Sequence, residues 1–212
     1  MELENLNMLY SSVVFRLRDH LTDITISREE LHGLLTPELS IAQTIDGRIC
    51  CTSVGDQMEV LIGVNRIDIK DLNRQSPRTE DIARIAEGIL EALKVDAKSF
   101  KSYGINYEFE VPLSTGESGA FILKTFIRSD LEDYLQHLRG AELTVLFDLD
   151  DRKITTKIAP RWNKPESDKI FVNINVHKDL EESEQVPGRE QLAKEITSYF
   201  KKVKKALSRV PE

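Results

Sequence analysis

Three acid-x-Lys triplets, Asp68/Lys70, Asp96/Lys98 and Asp151/Lys153, are the first residues of this sequence whose types and spacing fit a reaction. A carboxylate two residues from a lysine can hold a divalent cation beside a phosphodiester while the ammonium meets the attacked phosphate, which is the chemistry of a metal-dependent nuclease. Asp68-Ile69-Lys70 closes a strand-like run and is the best placed of the three. Chance accounts for the count, because 36 acids shuffled among the lysines of 212 residues give about 2.5 such triplets. Asp148-Leu149-Asp150-Asp151 sets two carboxylates on one side of a strand end. Asp148 and Asp150 therefore join Asp68 and Lys70 as the donor set of an alternative reading, a phosphodiesterase or nuclease with a hard cation. The simpler reading of that run is a polar hairpin turn, since Asp tolerates turn geometry.

Other reactive residues lack the partners their chemistry needs. His20, His32, His137 and His177 are scattered, without the spacing that presents zinc ligands from one element. Gly116-Glu117-Ser118-Gly119 is short of a nucleophile elbow, because the second glycine would have to stand at position 120, which is Ala. No glycine-rich phosphate loop occurs. Cys50 and Cys51 are neighbours, so they could join only through a strained vicinal disulfide, and a reducing, cytoplasmic setting follows. No catalytic residue is singled out, no cofactor is implied, and a non-enzymatic role is favoured.

Binding residues are easier to find. Arg161 and Trp162, with Lys164 beside them, lie between Pro160 and Pro165, and Trp162 is the single Trp of the chain. Trp and Arg are enriched at binding hot spots, so Arg161, Trp162 and Lys164 are the candidate partner-binding residues, against the alternative of Trp162 folded back as a lid on the core. Lys201, Lys202, Lys204, Lys205 and Arg209 make the last helix basic, which is also the ordinary complement of a helix C-terminus. With 29 Lys and Arg against 36 Asp and Glu the net charge is −7, which repels polyphosphate at long range and argues against nucleic acid as a partner. The acidic first residues and the lack of a following apolar run give no signal peptide, and no apolar run approaches the ~20 residues of a membrane span. At 40% hydrophobic and 31% charged, the composition is that of a globular protein.

The elements that must position these residues follow from periodicity. Val13, Phe15 and Leu17 alternate with Val14, Arg16 and Arg18, the pattern of a half-buried strand over 8–18. Ser27-Arg28-Glu29-Glu30 is a capping box for a short helix through Leu31, Leu34 and Leu35. Three strand-like runs follow, at 39–45, 48–54 and 57–69. Ser76 as cap and Pro77 as first residue then open a helix with the stripe Ile82, Ile85, Ala86, Ile89, Leu90 and Leu93. The order restarts with a strand alternating Tyr103, Ile105, Tyr107, Phe109 and Val111. A helix through Phe121, Phe126 and Ile127 intervenes, Ser129-Asp130-Leu131-Glu132 caps a further one, and strands at 143–149, 153–159 and 169–176 precede a final helix from about Pro187.

Strand, helix, three strands and helix thus occur twice. The predicted fold class is α+β with two similar halves, 1–98 and 99–212, each an antiparallel sheet packed on a long helix.

Tyr103-Gly104-Ile105-Asn106-Tyr107 after a long helix, and Phe171-Val172-Asn173-Ile174-Asn175-Val176 before an amphipathic C-terminal helix, resemble a sporadically distributed family of uncharacterised prokaryotic proteins of similar length. The resemblance implies no activity. It implies a setting, since the family's patchy distribution is that of accessory genes in mobile or antiviral-defence loci. The function expected is a non-catalytic interaction or adaptor module, dimeric, binding another protein through an exposed sheet surface or the Trp162 loop. The alternatives are the nuclease above and a carrier that binds an apolar ligand between a long helix and a sheet.

Overall fold

The computed structural model describes residues 7–21, 26, 30, 33, 39–45, 48–53, 57–113, 117–126, 141–160 and 168–207. Among the described residues, nine strands form one antiparallel sheet: β1 (Asn7–Leu17), β2 (Leu39–Ile45), β3 (Arg48–Ser53), β4 (Met58–Gly63), β5 (Arg66–Asp71), β6 (Phe100–Pro112), β7 (Leu143–Leu149), β8 (Arg152–Pro160) and β9 (Lys169–Asp179). Among the described residues, α-helices run over α1 (Thr79–Ala92), α2 (Ser118–Phe126) and α3 (Arg189–Leu207). Across the sheet the order is β2-β3-β4-β5-β1-β6-β9-β8-β7. The α+β class is the expected one. A separate sheet for each half is not found, because the alternating strands β1 and β6 pair with each other at the centre, Val13 opposite Ile105 and Phe15 opposite Tyr103.

The run 57–69, read as one strand, is a hairpin. Val64 and Asn65 turn the chain so that Ile62 faces Ile67 and Val60 faces Ile69, which puts all four on one side of the sheet. Val64 carries the even-numbered apolar series into the turn, and the switch to odd positions at Ile67 and Ile69 is the trace the turn leaves in the sequence. The first helix predicted from Ser27 lies outside the described residues except for Glu30 and Gly33, both helical. The capping box at 129–132 lies outside them as well.

Register builds the core row by row. Cys51, Val60, Ile69, Val13, Ile105, Val176 and Ile154 are successive cross-strand partners, each no more than 4% exposed. α1 buries Ile82, Ala83, Ile85, Ala86 and Ile89, and it packs on β5 and α3. Helix α3 buries Leu192, Ala193, Ile196, Tyr199, Val203 and Leu207 on the same side, where Phe200 meets the rings of Tyr107 and Phe109 at 5.7 and 6.3 Å. Burial raises the Tyr107 phenol well above its ordinary value, and its hydroxyl donates to the Ile196 carbonyl at 2.6 Å.

α1 begins at Thr79, two residues later than the Ser76-Pro77 signal predicts, and Ser76 does not cap it. The fully buried Asp71 at the end of β5 does that work instead. One of its oxygens accepts the Arg78 backbone N–H at 2.8 Å, and the other accepts the Arg78 guanidinium at 2.8 and 3.1 Å and the Asn73 N–H at 2.9 Å. A buried carboxylate is tolerable only when its lone pairs are met this fully, and the same bonds fix how β5 leads into α1.

Candidate functional site

One residue along from each member of the buried row lies a second row, and it is polar. Thr52, Glu59, Lys70, Ser12, Asn106, Asn175 and Thr155 are successive partners on the opposite face of the sheet. Their side chains bond along the row. Lys70 reaches Glu59 at 3.6 Å, Asn106 Nδ2 donates to Ser12 Oγ at 3.2 Å, and Asn175 Nδ2 donates to Asn106 Oδ1 at 2.6 Å. A parallel row pairs Tyr10 with Glu108, Glu108 with Asn173 and Asn173 with Lys157. Asn173 Nδ2 donates to Glu108 at 3.3 Å, and the Lys70 ammonium stands 4.3 Å from the Tyr10 ring centre. Burial and the Glu108 charge push the Tyr10 phenol up to about 12.

Toward the other end of the strands the face sinks. Val14, Gly104 and His177 are partners across β1, β6 and β9, with Arg16, Ser102 and Asp179 in the next row. Gly104 leaves the floor low, and the depression around it has a volume of about 560 Å³. Asp179 accepts from Lys153 at 2.6 Å and lies 2.9 Å from His177 Nε2, and these two contacts hold its carboxyl below the usual range.

The residues singled out in the sequence are spread over the molecule. Asp68 and Lys70 are on this open face, but Asp68 is bound by the Arg66 fork at 2.7 and 3.0 Å. Asp148 belongs to the far edge strand, five strand spacings away, or about 24 Å at ~4.8 Å each. Asp150 forms the β7–β8 turn, with φ 57°, and its carboxylate takes Lys202 at 3.1 Å. The four residues of the alternative metal reading are therefore not brought together, and no cluster of three or more metal-ligating side chains occurs among the described residues. Arg161, Trp162 and Lys164 lie outside the described residues. Ser118 is the first residue of α2, a helix start rather than an elbow. Cys50 and Cys51 are not joined by a disulfide and lie on opposite faces of β3. On α3, Lys202 and Lys204 sit over the rings of Tyr199 and Phe200.

The cleft between α1 and the start of α3, lined by Phe15, Ala86, Leu90 and Leu192, has a volume of about 240 Å³. That is below the ~300 Å³ at which small-molecule pockets begin, so it is a small home for the apolar ligand of the carrier reading. Sequence reasoning passed over Ser12, Gly104, Asn106 and Asn175 as site residues. The usable signal was the mid-strand Gly104, flanked two residues on by Asn106 on what alternation marks as the polar face.

No helix among the described residues is long and apolar enough to cross a membrane. No family model matches this chain, and no curated protein matches it. Among solved structures, the Methanococcus jannaschii TBP is 14% identical over 98% of this chain and 99% of that one, with a TM-score of 0.35, a likeness too small to support a statement about fold or function.

Proposed function

We propose that this protein is a non-catalytic interaction module, an accessory or adaptor protein whose open sheet face docks another protein. The observation that carries the reading is the side-chain ladder Ser12–Asn106–Asn175 across the three central strands. Each Asn has four hydrogen-bonding positions and the ladder uses only some of them, so a rigid row of amides is left to meet a partner. Tyr10, Ser12, Gly104, Asn106, Asn173 and Asn175 around it are the residue types that binding loops use for adaptable polar contact. The same reading takes 1–98 and 99–212 as related halves. It is supported by the sheet order, in which β5, β4, β3 and β2 run outward from β1 as β9, β8 and β7 run outward from β6.

The test is affinity purification from the native host, followed by titration of the purified partner against Asn106→Ala/Asn175→Ala. Loss of the ladder is expected to weaken the partner at least tenfold, while costing about 1 kcal/mol of stability for each bond removed. A partner held equally well by the double variant overturns the reading, and so does a native preparation that carries none.

The edge strand β7 favours self-association as a second contact. Val145, Leu146 and Phe147 are 40, 75 and 46% exposed. A two-fold axis at Leu146 would set Val145 against Phe147 and Thr144 against Asp148 of a second copy, continuing the sheet with apolar residues opposite one another. Sedimentation is expected to give a dimer that Leu146→Lys dissociates. A wild-type monomer at working concentration rules the contact out.

A further inference from the structure

We propose that the depression floored by Gly104 is a binding site for an organic phosphate, a phosphomonoester of about mononucleotide size, whose phosphate is held by Arg16 and Lys101. Gly104 is the first ground. Glycine weakens a strand interior, and where one stands mid-strand it marks a close approach by a ligand or another backbone. A Cβ here would lie 3.1 Å from Asn175 Nδ2, and that nitrogen cannot give way without stretching its 2.6 Å bond to Asn106. The strand thus keeps its floor low and its amide row intact together.

The charges around the floor are the second ground. Arg16 and Arg66 are direct cross-strand partners, and like charges so placed cost stability. Arg66 turns its guanidinium to Asp68 at 2.7 and 3.0 Å. The Arg16 side chain is exposed and makes no hydrogen bond or ion pair with any described residue, and the same holds for the Lys101 side chain, whose backbone carbonyl accepts the Leu180 N–H at 2.8 Å. Asp179, the carboxylate of this lining, has one oxygen on Lys153 and the other on His177. Two uncommitted cations therefore share one depression in a chain of net charge −7, which is where an anion gains most.

Phosphate fits the donors. A guanidinium fork, an ammonium and the Ser102 hydroxyl, all on the lining, match its several oxygens. At about 560 Å³ the depression falls in the size range of small-molecule pockets and exceeds what phosphate alone fills. Val14 offers the remainder of the ligand an apolar contact, and Asn106 and Asn175 offer it amides. The site shares its face with the protein-docking surface proposed above but is assayed without any partner, so either idea can fail alone.

Calorimetric titration of the purified chain with AMP, UMP and inorganic phosphate tests it. One nucleotide per chain is expected to bind, more tightly than inorganic phosphate. Arg16→Gln and Lys101→Gln, both at exposed positions, are each expected to weaken it about tenfold or more with an unchanged melt. Gly104→Val is expected to abolish binding, and if that variant does not fold the two charge variants decide. The proposal is overturned by no binding of either nucleotide at millimolar concentration, by affinity that survives Arg16→Gln, by inorganic phosphate binding as tightly as the nucleotides, or by binding confined to single-stranded oligonucleotides.

Discussion

Removal of residues 188–212 is expected to abolish the cooperative unfolding transition. The deletion takes away α3, and with it the buried Leu192, Ile196, Tyr199, Val203 and Leu207 and the Phe200 ring against Tyr107 and Phe109. Large apolar side chains contribute about 1.5–3 kcal/mol each on burial, so their joint loss is on the order of the 5–15 kcal/mol that keeps a whole domain folded. The Tyr107 hydroxyl would also lose the Ile196 carbonyl, and the buried side of β6 and β9 would be opened to water. Reversing Lys201, Lys202, Lys204 and Lys205 is the control. Lys202 is 46% exposed and its partner Asp150 62%, and pairs of that kind are worth less than about 1 kcal/mol. The charge-reversed protein should melt within about 2 kcal/mol of the parent. Calorimetry of the two variants separates the roles, and a truncated chain that still melts cooperatively would show that the sheet holds without its long helix.

That helix was readable from sequence because its stripe repeats at helical spacing over five turns, and β6 was readable because alternation persists from Tyr103 to Val111. Burial imposes those periods, so the order of residues records them. The β4–β5 turn was missed for the converse reason. Val64 and Asn65 are ordinary residues, and neither adopts the left-handed conformation that would have called for glycine. The start of α1 was misread because its cap is tertiary: Asp71 serves Arg78 from seven residues upstream, and no local motif encodes that.

The open face was legible only as a polar period. Which polar residues become neighbours depends on register across three strands, so Ser12, Asn106 and Asn175, separated by 94 and 69 residues, could not be joined by spacing. Composition is silent about placement in the same way. A net charge of −7 is a property of the whole chain, whereas Arg16 on β1 and Lys101 on β6 line one depression only through the fold. The two runs that carried the family resemblance, around Gly104 and around Asn175, are now adjacent on that face, Gly104 opposite His177 and Asn106 opposite Asn175.

Glu195→Ala is expected to cost about 3–5 kcal/mol. The reason is the guanidinium it would strand. Arg152 begins β8, and its side chain is only 4% exposed. Its Nη2 donates to the Tyr103 hydroxyl at 2.6 Å and to Glu195 at 2.9 Å, and the Tyr103 hydroxyl donates to the same Glu195 oxygen at 2.9 Å. Asp151 lies 3.3 Å from Nε but is itself 59% exposed, so water screens it and it cannot replace the buried carboxylate. With Glu195 gone, a buried cation would keep the screened Asp151, a neutral phenol and the faces of two tyrosine rings, at 4.8 and 5.9 Å. Arg152→Met should cost less, because Glu195 at 15% exposure can turn toward solvent. The pair Arg152→Met/Glu195→Leu should recover most of the loss, since an apolar pair carries no desolvation penalty. Urea denaturation of the three variants measures these costs, and a Glu195→Ala protein within about 1 kcal/mol of the parent would refute the account. The consequence reaches the open face. Tyr103 sits between Ser102 and Gly104, so the bond that ties it to α3 also fixes the strand segment that floors the depression, and loosening Arg152 should blur that floor before the sheet itself comes apart.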